Sequence, residues 1–333
     1  MSGENASTNK TILHWLNSAK GIGVILVVLG HLMYDSNLHI SLQFFYSFHM
    51  PLFFIISGYL QKDIRKGFVK KRAQRLLIPF FVFAIVGLPI FGLRLMRHGA
   101  GLLSILFDSF YVRGIITNNP LWFLVVLFEI SVLIAITNFP QREIKYQLCA
   151  YIVTVIVGWL VYMLPEDFIL LNLFGINRMI VCSSFYILGI LLGKIQPKTV
   201  VLLAIVSLII NVIFGILINT KISIYSFELG RYYAFQVAAI SGSIAVMTFC
   251  KICLDREGFL ENISRYAILF MGSQYFAIVP FKVIMRKMHL AETMWYNIAM
   301  VIFTMIFILI IPLIYEWLKK RLSIIKVMNG ELA

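Results

Sequence analysis

Charge is scarce in this chain. Asp, Glu, Lys and Arg make up 13% of its 333 residues, where an ordinary soluble domain carries about a quarter. Acids are the scarcer sign, 15 against 29 Lys and Arg, which leaves a formal net charge of +14. Cysteine is limited to Cys149, Cys182, Cys250 and Cys253, all in or beside apolar segments. Cys250 and Cys253 have C-x-x-C spacing, but with no second pair and no nearby His they favour packing over a metal or redox centre. There is no long polar linker, no low-complexity tract and no convincing repeat, and the missing repeat argues against a transporter built from two inverted halves.

What is abundant is hydrocarbon. The chain is 60% hydrophobic, with a mean hydropathy of +0.90. A soluble domain of this make-up would expose more apolar surface than a monomer tolerates. Apolar runs near twenty residues, each long enough to cross a hydrocarbon core of ~30 Å, recur from end to end. Ten spans are expected, near 12–34, 42–60, 76–93, 119–138, 147–164, 178–193, 199–219, 232–250, 263–280 and 295–318. The reading is an all-α, polytopic integral membrane protein, one transmembrane domain over 1–333 with a polar tail at 1–11 and a basic tail at 319–333. The opening MSGENASTNK is polar and the first apolar run lacks a small-residue cleavage site, so that run reads as a retained helix.

The surplus of base lies mostly between the apolar runs, which points to topology and not to nucleic acid. With the N-terminus in the cytoplasm, 20 of the 29 Lys and Arg fall inside and nine outside, so both termini are expected in the cytoplasm. The second inside loop, QKDIRKGFVKKRAQR, is denser in base than topology requires.

Ionisable groups within the runs mark candidate chemistry, because their burial in a bilayer is costly and they usually face a cavity or the bundle interior. In SAKGIGVILVVLGH, Lys20 and His31 are eleven residues apart, a spacing that returns a helical side chain to within ~20° of its starting face, ~16 Å along the axis. Taken alone, Lys20 reads equally well as a snorkelling anchor and His31 as a satisfied interhelical hydrogen bonder; the shared face and a second His nearby favour a site. His49, in YSFHMPLFFIISGYL, is expected at the start of span two and at the depth of His31. Asp35, one turn beyond His31, can orient that imidazole or cap the helix end. Arg72 and Arg75 share a face as span three begins and suit phosphate oxygens, where Lys62, Arg65 and Lys66 are explained by topology alone. Pro51 is expected in the first turn of span two, and Ser57-Gly58 as a notch for a ligand arm or a neighbouring helix. Glu129 lies well inside span four, either functional or paired for structural reasons. Trp122 and Tyr111 read as interface-belt aromatics.

Together these residues resemble the membrane acyltransferase-3 family of O-acyltransferases, which modify sugars and polysaccharides. The likeness runs through the basic residue, ten-residue gap and His of Lys20 to His31, through FHMPLFFIISGY at 48–59, the R-x-x-R pair Arg72 and Arg75, and WFL at 122–124. It is close over roughly the first 80 residues and rests on span count and hydropathy thereafter. Two departures stand out: Lys20 sits where Arg is common, and ISRYAILFMGSQ offers Gln274 where many members carry a late His. The resemblance implies a ten-helix enzyme of the bacterial inner or plasma membrane. It would take acetyl-CoA as cytoplasmic donor and deliver acyl groups to a glycan or lipid-linked sugar at the outer face. It needs no metal. By that resemblance His31 would be the catalytic imidazole and Arg72 and Arg75 would serve the donor; the residues themselves add His49 and Asp35 as candidates beside His31 and Lys20 as a third cation for the donor. The competing expectation is a transporter or flippase for a lipid-linked sugar. A ligand-sensing membrane protein ranks below both, since no signalling domain is attached.

Overall fold

The expected helices form in the computed structural model, which describes residues 13–34, 36, 38–111, 119–165, 173–196, 199–290 and 293–321. Helix α1 spans His14–Met33, α2 His39–Tyr59 and α3 Phe68–Gly87. A π-helical segment, Leu88–Gly92, then carries α3 into α4, Leu93–Arg97. Helix α5 is Leu102–Tyr111, α6 Trp122–Ile136, α7 Ile144–Tyr162 and α8 Ile176–Ile195. Helix α9, Val201–Val212, continues as a π-helix through Ile213–Ile218, and α10 is Tyr232–Cys253. The short α11, Phe259–Arg265, precedes α12, Ala267–Lys287, and α13, Met294–Lys319. Among the described residues there is no strand beyond one isolated bridge, between Ser223 and Glu228.

Nine of the described helical stretches are long and apolar enough to cross a membrane, and α6 is a shorter apolar helix of 15 residues. The chain is thus an all-α polytopic membrane protein with the expected order of spans. Three boundaries move for physical reasons. Helix α3 begins at Phe68, eight residues before the expected 76, because Lys, Arg, Gln and Ala are good helix formers and the basic run coils behind the left-handed Gly67 (φ 78°). Helix α2 begins at His39, since Gln43 and Ser47 turn inward: Gln43 donates to the Gly215 and Asn219 carbonyls, and Ser47 accepts from Asn211. That puts Pro51 in the helix interior and not in its first turn, which leaves the Ser47 carbonyl without its helical donor. The expected 263–280 span divides at Tyr266 into α11 and α12.

Packing explains the notch at Gly58. Helices α2 and α8 run side by side in the same direction. Gly58 lies against the Tyr186 carbonyl and the Ile190 amide, while Gly189 and Gly193 lie against the backbone of Ile55 and Tyr59. A Cβ at Gly58 would collide with the partner backbone, so of the two readings of Ser57-Gly58 it is the neighbouring helix that uses the gap. The apolar faces of α7, α9 and α13 point outward, with Trp159, Leu202 and Leu313 among the exposed side chains.

The helix ends sort into two faces. At the basic one, Lys194 donates to the Arg142 carbonyl (2.7 Å), Gln141 to the Asp63 carboxylate (2.6 Å), and Lys251 stands over the Trp15 ring. There too α11 is strapped to the start of α1 by Glu261, which meets His14 Nδ1 at 2.6 Å and accepts from Asn17 at 3.0 Å. At the opposite face lie the ends of α1 and α12 and the start of α10.

Candidate active site

Two adjoining cavities open at the face opposite the basic end. The larger, about 690 Å³, is lined by His31, Tyr46, Trp122, Tyr225, Tyr275 and Lys282 among others. That is within the ~300–1,000 Å³ usual for ligand pockets. The smaller, about 40 Å³, lies deeper, between His31 and His49 above Val27, Met50 and Met271. The two imidazoles expected to meet therefore do face one space. They are staggered in depth: Gly30 abuts Tyr46 and Gly23 abuts Phe53 across the α1–α2 seam, which sets His49 about one helical turn below His31. The Tyr46 ring stands edge-on to both, 6.5 Å from His31 and 4.9 Å from His49 between centroids.

The hydrogen bonds fix what each ring can do. His49 Nδ1 lies 2.7 Å from the Phe45 carbonyl. A carbonyl only accepts, so Nδ1 carries the proton and, in the neutral ring, Nε2 keeps a lone pair. His31 Nδ1 meets the Tyr275 hydroxyl at 3.1 Å. A phenol can donate or accept, so it holds this ring in either tautomer. Asp35 lies outside the described residues.

Trp122 is not in an interface belt. It is buried and lines both cavities, because α6 is short and starts inside the bundle after a turn of 3₁₀ helix at Asn119–Leu121. Gln274, at the departure from the family pattern, is buried and donates to the Met271 carbonyl; its neighbour Tyr275 is the residue that reaches the cavity. Tyr275 and Tyr225 lay beyond sequence reasoning, since nothing in their own stretches ties them to His31.

At the basic end the three expected donor-side cations also come together. Lys20 is half-buried and within electrostatic range of both Arg72 and Arg75. Arg72 is half-buried, donates from Nη2 to Gln61 Oε1 at 3.1 Å and stands 5.3 Å over the Phe68 ring. Tyr186 donates to the same Gln61 oxygen at 3.5 Å. Arg75 is exposed. Lys20 and His31 are eleven residues apart on α1, so these cations and the imidazoles lie about 16 Å apart along its axis. Glu129 is half-buried on α6, and its Oε2 has no hydrogen-bond partner among the described residues. Among those residues no group of three or more His, Cys, Asp or Glu could hold a metal ion, and the four cysteines are free thiols.

Fold and site define a polytopic membrane protein with an imidazole-lined cavity at one end and a cationic cluster at the other. The acyltransferase-3 family model, described as an acyltransferase domain, matches residues 13–324, and the chain belongs to that family. It is 36% identical over 145 residues to nodulation protein NolL of Sinorhizobium fredii, a match covering 39% of this chain and 38% of that one. It is 41% identical over 87 residues to nodulation protein NolL of Mesorhizobium japonicum, covering 22% and 23% respectively. The chain thus aligns with well under half the length of these relatives. No solved structure matches it significantly. The family is one of acyltransferase domains, carried here on a polytopic membrane chain.

Proposed function

We propose that this acyltransferase moves an acyl group, acetyl by default, from cytoplasmic acyl-CoA to a hydroxyl of a cell-surface or lipid-linked glycan, across a bacterial inner or plasma membrane. The observation that carries the reading is the pairing of His31 and His49 around one cavity at the end of the bundle opposite Lys20, Arg72 and Arg75. The orientation follows from the bias of base toward one side of the membrane.

The basic cluster fits a CoA donor by its chemistry, since guanidinium and ammonium groups are the usual partners of phosphate oxygens. Lys20, Arg72 and Arg75 would hold those phosphates, and the donor supplies an activated thioester. His31 acts as general base on the acceptor hydroxyl. The hydroxyl oxygen bonds to the acyl carbon, the carbon–sulfur bond breaks, and the proton taken by His31 leaves on the thiol. With His31 Nδ1 held by Tyr275, that phenol can fill the orienting role expected of Asp35. His49 presents a lone pair while neutral, so a donor role toward the developing oxyanion requires it to have taken up a proton first.

The test is release of free CoA from acetyl-CoA by membranes containing the protein when a glycan acceptor is supplied. His31→Ala should abolish release while leaving the protein inserted. Wild-type turnover in His31→Ala would refute the assignment, and movement of a lipid-linked sugar without acetyl-CoA would favour the transporter.

A further inference from the structure

The connection between α9 and α10, residues 219–231, folds into a small hairpin against the cavity. Ser223 and Glu228 exchange backbone hydrogen bonds of 2.6 and 2.9 Å. Asn219 closes its base: its Oδ1 accepts from the amides of Thr220 and Arg231, and its Nδ2 donates to the Leu229 carbonyl. The Tyr162 hydroxyl accepts from the Leu229 amide and donates to the Gly230 carbonyl. The hairpin sends Ser223 and Tyr225 into both cavities.

Its tip is held by an unusual residue. Arg178, buried at the start of α8, donates from Nε (2.8 Å) and Nη2 (2.5 Å) to the Tyr225 carbonyl, with its guanidinium 5.7 Å from the Tyr225 ring. Its Nη1 has no hydrogen-bond partner among the described residues. Burying a guanidinium against one carbonyl is a poor way to gain stability, but it fixes the place of Tyr225 over the imidazoles. Within the hairpin Lys221 is matched by Glu228 at 2.7 Å, and the hairpin presents a phenol and serine hydroxyls to the cavity.

We propose that the 219–231 hairpin is the acceptor-selecting wall of the cavity and that it takes a sugar ring, with Tyr225 the specificity-determining contact and Arg178 the residue that positions it. This rests on the reading of acyl transfer to a glycan. A sugar's C–H face packs on an aromatic ring, and its hydroxyls find partners in serine side chains, while the donor reaches the site from the basic end and does not touch this wall.

The experiment uses the full chain in membranes with acetyl-CoA and p-nitrophenyl glucoside, galactoside, N-acetylglucosaminide and glucuronide as acceptors. The wild type should acylate at least one of these glycosides and rank the four by acceptor KM. Tyr225→Ala should raise the acceptor KM roughly tenfold and level the ranking among sugars, while the acetyl-CoA KM stays unchanged. Arg178→Met should act in the same direction and Arg178→Lys should recover part of the loss. If Arg178→Met does not insert, Tyr225→Ala still decides, since it leaves Arg178 and its carbonyl partner in place. Should the wild type acylate a panel sugar while both variants keep its KM and ranking, or lose acetyl-CoA affinity equally, the hairpin proposal is overturned alone. If the wild type acylates no sugar, the glycan reading itself falls and this inference with it.

Discussion

Replacing Tyr275 by Phe tests the arrangement of the imidazoles with little disturbance elsewhere. The change deletes one oxygen and keeps the ring, including its packing against His31 (5.2 Å between centroids) and Phe91 (6.2 Å). What disappears is the 3.1 Å hydrogen bond to His31 Nδ1. If His31 takes the acceptor proton, that bond joins a neutral ring in the ground state and a cationic one in the transition state. A hydrogen bond to a charged group contributes about 1.5–3 kcal/mol, against about 0.5–1.5 for a neutral one. Because a factor of ten in rate corresponds to about 1.4 kcal/mol, kcat should fall by about ten- to 150-fold at most, and by a few-fold if only the difference between the two states is lost. On the proposed reading the donor phosphates are held at the other end of α1, so the KM for acetyl-CoA should not move. The assay is continuous detection of free thiol in membranes at saturating acceptor. An unchanged kcat would mean that Tyr275 does not hold the reactive ring, and the assignment of His31 as base would lose its structural support.

Three further outcomes are expected. Gly58→Ala should destabilise the detergent-solubilised protein by about 1–3 kcal/mol, the usual cost of overpacking, whereas Gly101→Ala, whose Cβ meets nothing, should leave the melting temperature unchanged; equal melting of both variants would refute the close α2–α8 seam. Arg72→Ala should raise the acetyl-CoA KM about tenfold or more and Arg75→Ala less, because Arg72 is half-buried and braced by Gln61 while Arg75 is exposed and screened; the reverse order would show that Gln61 does not present Arg72 to the donor. At the basic end, burial pushes the Glu261 carboxyl up, but bonds from His14 and Asn17 outweigh it and hold it below the usual range. A lowered carboxyl pKa stabilises the fold above the unfolded value and stops doing so as pH falls through the folded one. The melting difference between wild type and Glu261→Gln should therefore shrink as pH falls through the carboxylate range, and a difference that grows there would contradict this sign.

Much of the architecture was legible because hydropathy is local: the order of spans, the basic face and the two centres on α1 follow from spacing along single helices. The convergence of Lys20 with Arg72 and Arg75 was also readable, since all three lie at the same ends of adjacent spans. Pro51 is not legible as an interior residue, because Gln43 and Ser47 look like loop residues until their partners, on segments some 170 residues away, are known. Trp122 reads as a belt residue in sequence for a related reason, since an aromatic at a helix start marks the membrane interface only if the helix reaches it. Tyr225 and Arg178 were invisible because they act through a carbonyl bond between distant segments, which leaves no pattern in either stretch.

The void between the two imidazoles has room for a water molecule or two. An acyl thioester arriving beside His31 before any sugar is seated would meet a nucleophile already within reach of the same base. A slow leak to the free acid is then built into the architecture, and its rate would measure how well an incoming sugar dries the chamber.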